Sequence, residues 1–398
     1  MIERGDRVAF YAPLKPPHHP VPSGDRRMAR ALMAVLAERG RKVELASRLR
    51  SFDRDGDHQR QTRIQRLGAR VADRLITGYR NRPASQRPNA WITYHAYHKS
   101  PDWLGSAVRD AFNIPYLLVE ASFAPKQAGG PWDLGHRAAE AAIRGADVTL
   151  AMTEVDQAGL SPLIEPPSRL MRLPPFLDPT RYRDAFRARE RHRRDLAERY
   201  GLNVDQPWLL AVGMMRDDVK RHSYALLADT LRRLDDRDWQ LLIVGDGASR
   251  SVIEKLFASF GSERVKYAGI LDENELPACY AAADVYAWPA IREAYGMALL
   301  EAQASGLPVV AGREGGVADV MRDGITGMLT TPRSPEALAS ALANLLDDPI
   351  RRRDMSAAAL EFVEQERSLG HASTLLDRAL IDAAAIHEVK AGRRRAVP

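Results

Sequence analysis

Glu293 and Glu301 frame the part of this chain best suited to chemistry, the run Glu293-Ala294-Tyr295-Gly296-Met297-Ala298-Leu299-Leu300-Glu301. An apolar helical pattern starts directly after Gly296, and a glycine there lets the loop backbone approach a ligand. The free N–H groups of such a helix start, with their partial positive charge, suit a phosphate or diphosphate. Glu301 falls four residues after Met297 on the same helical face, and Glu293 sits in the loop ahead, so both carboxylates can serve one site. Carboxylates accept hydrogen bonds from vicinal hydroxyls. The pattern therefore describes a pocket for a nucleotide bearing a sugar. Two glutamates taken at random are solvated helix charges. Gly296, the apolar segments on either side and the following Gly315-Gly316 argue for more here.

Those residues need a strand ahead of them and another behind. Ala283-Asp-Val-Tyr-Ala-Trp-Pro289 and Leu307-Pro-Val-Val-Ala311 both read as short buried strands, which makes the run between them a loop and crossover helix. With these elements in place, the stretch resembles the Glu-x7-Glu signature of the retaining glycosyltransferases of family four, and the similarity extends less sharply over nearly the whole chain. The resemblance implies the GT-B fold, two Rossmann-like α/β domains facing each other across a cleft. It also implies that Glu293 contacts the donor sugar, that Glu301 holds the ribose hydroxyls, and that the backbone from Tyr295 to Ala298 meets the sugar and phosphates.

Further candidates lie at the ends of other strands. After the strand Trp208–Gly213, the family places an arginine and a lysine that neutralise the donor diphosphate. Here the loop reads Gly213-Met-Met-Arg216-Asp-Asp-Val-Lys220, with both residue types present but displaced. Two phosphates leave with negative charge, and Arg216 and Lys220 would supply the cations without a metal. Gly269, Ile270 and Leu271 end a short strand that in the family lies against the nucleotide base. Ser23-Gly24-Asp25 opens a helix and loosely matches the family's glycine-containing loop, with helix capping an equal alternative. A histidine near the end of an early strand commonly faces the donor sugar in that family. Glu120-Ala-Ser122 occupies the usual place, so the role shifts to His95 or His98 on the strand Ala90–Lys99. Strand alternation puts His95 on a face with Thr93 and Tyr97, and His98 on one with Tyr94 and Ala96. A structural histidine bonded to backbone is the alternative for each.

Other motifs carry less. Asp53-Arg-Asp-Gly-Asp57 lacks the Gly and Glu that a calcium loop needs at the positions of His58 and Ile64, and reads as a polar turn. Gly245-Asp-Gly247 reads as packing rather than a dinucleotide motif. Lys126–Trp132, with Gly129-Gly130, reads as a mobile loop able to meet the acceptor. Arg60–Tyr79 reads as a basic amphipathic helix with Ile64, Leu67, Val71 and Leu75 on its buried face.

Length and composition bound the rest. The 398 residues suffice for two domains, and 45% hydrophobic with 28% charged residues describes a globular protein without a membrane-spanning run. The first residues lead straight into a strand at Arg7 with no signal-peptide layout, and the single Cys279 fits a reducing compartment and a core position. Residues 1–178 hold 27 Lys and Arg against 19 Asp and Glu, whereas residues 201–398 hold 23 against 29. The basic half suits an anionic acceptor or an anionic membrane face.

The expected organisation is an acceptor-side domain over 1–178, a charged connector over 179–206, a nucleotide-sugar domain over 207–370, and a helix and tail over 371–398 crossing back. The expected activity is retaining transfer of a sugar from a nucleotide sugar to a saccharide or lipid-linked acceptor in bacterial polysaccharide or glycolipid assembly. It should run in the cytoplasm or on the inner face of the membrane, with no cofactor and no metal. A nucleotide-sugar epimerase on the same fold and a basic nucleic-acid-binding protein are the alternatives. The second has only charge behind it, since no stacking platform or motif supports nucleic acid as a partner.

Overall fold

The computed structural model describes residues 5–20 and 23–395, so sequence readings that fall on residues 1–4, 21–22 and 396–398 lie outside it. The chain divides into two units, Met1–Pro174 with Leu369–Pro398, and Pro175–Ser368.

The first unit is built on a six-stranded parallel sheet of β1 (Arg7–Tyr11), β2 (Lys42–Ser47), β3 (Ala90–Ala96), β4 (Tyr116–Ala121), β5 (Val148–Ala151) and β6 (Leu170–Arg172), in the order β2-β1-β3-β4-β5-β6. Helices cover strands of this kind on both faces, which is why β4 and β5 read as unbroken apolar runs and are buried at every position. The strand order reverses direction between β1 and β3, and loops diverging at such a point leave a crevice at the carboxyl ends of the strands.

The second unit repeats the plan with β7 (Trp208–Val212), β8 (Gln240–Val244), β9 (Val265–Gly269), β10 (Val285–Trp288), β11 (Val309–Gly312) and β12 (Gly327–Thr330), in the order β12-β11-β10-β7-β8-β9. Its reversal lies between β7 and β10. Trp208, Trp239, Trp288, Tyr224, Tyr280 and Tyr286 are fully buried in its core, together with the thiol of Cys279, which burial pushes up to about 12.

Two sequence readings change here. The charged stretch 179–206, expected as a connector, holds two helices, Thr180–Arg187 and Arg189–Tyr200, within the second unit. Arg189 and Arg193 tie the second of them down by bonding the carbonyls of residues 281–283 and both oxygens of Asp284. The break between the last two helices falls at Arg367 and Ser368 rather than Gly370, where Leu177 N donates to Arg367 O at 2.9 Å. The final helix, Leu369–Arg395, packs into the first unit. Arg39 donates to Ser373 Oγ at 2.6 Å, and His387 and Lys390 hold the buried Asp147 at 3.1 and 2.9 Å.

Candidate functional site

At the reversal in the second sheet, the loops after β7 and β10 meet through one ion pair. Lys220, in the first turn of the helix Val219–Leu231, places Nζ 2.5 Å from Glu293 Oε2. Trp288 Nε1 donates to the same oxygen at 3.3 Å, and the Trp288 ring lies 5.2 Å from the ammonium. Both charges are mostly shielded from water, where attraction is stronger than on the surface. Asp218 caps that helix by accepting from Lys220 N at 2.9 Å, which fixes where the lysine starts.

The loop carrying Glu293 is strained. Ala290 and Arg292 have φ of 59° and 50°, conformations that cost on the order of 1–3 kcal/mol each and persist only where the surroundings impose them. The surroundings do: Ser223 Oγ accepts from Ile291 N at 3.3 Å, and Glu314, itself held by Arg333, accepts from Arg292 N at 2.9 Å. Gly315 lies so close beneath that a Cβ there would sit 2.0 Å from Glu293 O.

Gly296 ends this loop with φ 74° and precedes the helix Met297–Ala304; a Cβ on it would meet Leu299 Cδ1 at 2.6 Å. Among the described residues no side chain caps that helix, which leaves its first N–H groups available to an anion. Tyr295 is buried, whereas Met297 and Ala298 are half-exposed at the helix start. Glu301, one turn on, is 2% exposed and accepts from the Tyr280 hydroxyl at 3.0 Å.

Arg216 is not brought to Glu293. It is half-exposed and pairs with Asp218 at 3.0 Å. Gly269 has φ 69° and ends β9, and Ile270 beyond it is 79% exposed. In the Gly245-x-Gly247 turn, a Cβ at Gly245 would lie 2.0 Å from Gly213 O and one at Gly247 2.5 Å from Met215 O, so these glycines serve close packing of the loop after β7.

The first sheet has its own cluster at the corresponding edge. His95 lies one residue before the end of β3 with φ 58°, which breaks the alternation expected for the strand, and Glu120 one residue before the end of β4 with φ 56°. His95 Nδ1 lies 2.9 Å from Asp25 Oδ1 and 3.5 Å from Glu120 Oε1. Burial pushes His95 down, but Glu120, Asp25 and Asp156 outweigh it and hold the imidazole up at about 9. Burial raises Glu120, with His95 opposing, to about 7. Asp156 is fixed by Ser122 Oγ at 2.8 Å and Thr153 Oγ1 at 2.7 Å.

His98 lies beyond the end of β3, 5.9 Å from the Trp132 ring in an edge-on contact. Burial, Lys99 and His136 keep it neutral, down at about 4. The structure therefore separates the two histidines and joins His95 to Glu120. Gly24 lies in the first turn of the helix Gly24–Glu38, capped by Ser23, which accepts from Arg26 N at 3.2 Å. Arg26 is turned to the carbonyl of His19 at 2.9 Å. In sequence, Asp25 was named only within the helix-opening Ser23-Gly24-Asp25, and Asp156 was not singled out. The Thr153-x-x-Asp156 spacing of a capping box at the end of β5 was the available signal for the second.

The loop 126–132 is tied down: Trp132 Nε1 donates to Asp53 O at 3.1 Å, and Lys99 Nζ lies 4.1 Å over the Trp132 ring. In the polar turn, Asp57 caps the next helix and Asp53 accepts from Gln61 at 3.0 Å. Among the described residues no three His, Cys, Asp or Glu side chains gather as a metal site, and no helix is long and apolar enough to cross a membrane.

Comparison with known proteins converges on one family. The model of the family described as "Glycosyl transferases group 1" matches residues 192–362. A D-inositol 3-phosphate glycosyltransferase of Corynebacterium glutamicum is 30% identical over 305 residues, 71% of this chain and 70% of that protein. The GDP-mannose-dependent alpha-(1-6)-phosphatidylinositol monomannoside mannosyltransferase of Mycolicibacterium smegmatis is 33% identical over 223 residues, 54% of this chain. The chain spans about half the length of several such relatives, 56% of that mannosyltransferase and 41% of the D-inositol 3-phosphate glycosyltransferase of Corynebacterium aurimucosum. Among solved structures, a sucrose-phosphate synthase from Thermosynechococcus elongatus superposes with a TM-score of 0.72 at 22% identity, covering 94% of this chain and 98% of that one. HepE of Anabaena, solved with UDP, gives 0.71 at 16% identity, covering 94% and 99%. With its two parallel-sheet units in the GT-B fold and this similarity along most of its length, the chain belongs to the group 1 glycosyl transferases.

Proposed function

We propose that this protein transfers a sugar, with retention of anomeric configuration, from a nucleoside-diphosphate sugar to a saccharide or lipid-linked acceptor in glycolipid or cell-surface polysaccharide assembly. The observation that carries the reading is the Lys220–Glu293 pair at the β7/β10 reversal, beside an uncapped helix start. A leaving nucleoside diphosphate gains negative charge, and preorganised cations and N–H groups that meet it lower the barrier. Lys220 and the N–H groups of Met297 and Ala298 take that part, while Glu293 accepts from the donor sugar's hydroxyls. Glu301 receives the ribose, and the backbone of residues 269–271 meets the base. Arg216 contributes only by leaving Asp218. The protein supplies the cations itself, so turnover should persist in EDTA.

The acceptor is assigned to the first unit. Relatives named for inositol phosphate and for phosphatidylinositol monomannoside support a phosphorylated or lipid-linked polyol, and the basic composition of residues 1–178 suits one. Peripheral docking on an anionic membrane fits the helix His58–Arg80. Its Arg63, Arg66, Arg70 and Arg74 recur at spacings of three and four on the face turned away from the buried Gln61, Gly68, Ala72 and Tyr79.

The test is incubation with radiolabelled UDP-, GDP- and ADP-sugars, with and without phosphatidylinositol or inositol phosphate. Acceptor-dependent release of one nucleotide together with a labelled glycoside is the expected result. Conversion of the sugar with no acceptor present would replace transfer with epimerisation.

A further inference from the structure

The cluster at the end of the first sheet determines what kind of histidine His95 can be. A histidine held by a single carboxylate through Nδ1–H stays neutral at rest and offers Nε2 as a base. His95 is placed differently. Its Nδ1 faces two carboxylates at once, Asp25 Oδ1 at 2.9 Å from the first turn of the Gly24–Glu38 helix and Glu120 Oε1 at 3.5 Å from the end of β4. Asp156, brought in by Ser122 and Thr153 from the end of β5, adds a third. Lys15 acts on Asp25 from the loop after β1, and Tyr94 and Tyr97 flank the imidazole ring at 5.8 and 5.4 Å. Glu120 is buried, and a buried carboxylate without a cation beside it is costly. His95 is the cation closest to it. Both residues sit at positive φ, so the backbone pays strain to make them face each other. Nε2 has no hydrogen-bond partner among the described residues.

We propose that Asp25 and Glu120 are positioning residues that keep His95 an imidazolium, so that its Nε2–H donates a hydrogen bond to a substrate oxygen and the histidine does not act as a base. This rests on the proposed transferase reading for what His95 touches, but its charge can be read on the resting protein. The family position occupied by Glu120 gains a role: it supplies no contact to substrate and sets the charge of the residue that does. Burial alone would push the imidazole below its ordinary range, so the cation persists only through its carboxylate neighbours.

The experiment follows the His95 imidazole by heteronuclear NMR between pH 5 and pH 10 in the donor-free protein, with His95→Gln supplying the assignment. The wild-type ring should stay doubly protonated through neutral pH and titrate near 9. Glu120→Gln should lower that midpoint by at least ~1 pH unit. A hydrogen-bond donor loses its proton as pH rises, so the kcat profile of Glu120→Gln should gain a falling limb at the lowered midpoint. Its kcat should recover toward wild type below that midpoint, while KM for the donor moves little. Asp25→Asn, at a half-exposed position, should give a smaller shift of the same sign and serves if Glu120→Gln does not fold. A wild-type midpoint at or below ~6.5, the ordinary imidazole value, overturns the inference and leaves transfer untouched. So does a Glu120→Gln profile parallel to wild type. Absence of acceptor-dependent transfer with His95 still cationic overturns the transferase reading instead.

Discussion

Both units carry a six-stranded parallel sheet with one reversal of strand order, and both place their ionisable groups where the loops diverge, yet they arm that place in opposite ways. In the second unit a cation and a carboxylate cancel each other: Lys220 lies on Glu293, and the surrounding glycines bring backbone rather than charge to the edge. In the first unit three carboxylates surround a single imidazole. A balanced pair can open to admit a phosphate, exchanging one anion for another at the lysine. An acid-rich cluster around a histidine cannot accept an anion on those terms, and offers instead one N–H held in place. Had the two units shared one task, the same fold would have been expected to carry the same charges.

The comparison breaks most visibly at the lysine. Lys220→Ala should lower kcat by about 10²–10³-fold, the usual effect of deleting one preorganised donor to developing charge, with the fold intact by circular dichroism. A loss of less than tenfold would mean that the helix start at Met297 carries the diphosphate without it. Next comes Glu301→Ala. If Glu301 receives the ribose hydroxyls as proposed, removing this buried carboxylate costs about 1.5–3 kcal/mol per bond, or roughly 10- to 150-fold in nucleotide Kd by calorimetry. Unchanged affinity would confine Glu301 to its bond with Tyr280. Glu293→Gln should instead lower turnover more than nucleotide affinity, since the proposed reading sets it against the donor sugar.

The histidines sharpen the first-unit side. His95→Ala should lower kcat at least about tenfold, as befits a group that positions without transferring a proton. His98→Ala should leave it within twofold, because His98 is neutral and sits against Trp132. Equal losses in both would deny the cluster its special role.

The second site was legible because it is nearly contiguous. Glu293, Gly296 and Glu301 fall in one loop and helix, and a glycine that must hold φ 74° is visible as a glycine. Lys220 was named through the resembled family's arginine and lysine after this strand and the diphosphate charge they must neutralise, although its spacing is displaced. The first site was legible only singly: His95 and Glu120 were named, but Asp25, His95, Glu120 and Asp156 come from four elements and their meeting was not. The backbone feature that joins two of them is positive φ at non-glycine residues, which leaves no mark in sequence. Strand alternation predicted a face for His95 that its own φ of 58° cancels. The helices of 180–200 were hidden by their charge: eight arginines between residues 179 and 200 read as linker. Arg189 and Arg193 are instead spent on carbonyls and on Asp284.

A last expected effect concerns the outside of the first unit. Arg63, Arg66, Arg70 and Arg74 of the His58–Arg80 helix are exposed, and Leu67 lies among them at 44% exposure, which puts an apolar side chain within a basic stripe. Each arginine near an anionic bilayer contributes about 1 kcal/mol, or roughly fivefold in binding, and the attraction fades within a Debye length of about 8 Å at physiological salt. Exchange of Arg66 and Arg70 for glutamine should therefore weaken binding to phosphatidylserine vesicles by about 25-fold in sedimentation, and leave transfer to a water-soluble acceptor unchanged. Added salt should abolish the wild-type binding. Binding that is equal on neutral and anionic vesicles would reassign the stripe to solvation of an arginine-rich surface. The charge contrast between the units would then reflect the His95 cluster and the Lys220 pair alone, with no part played by the membrane.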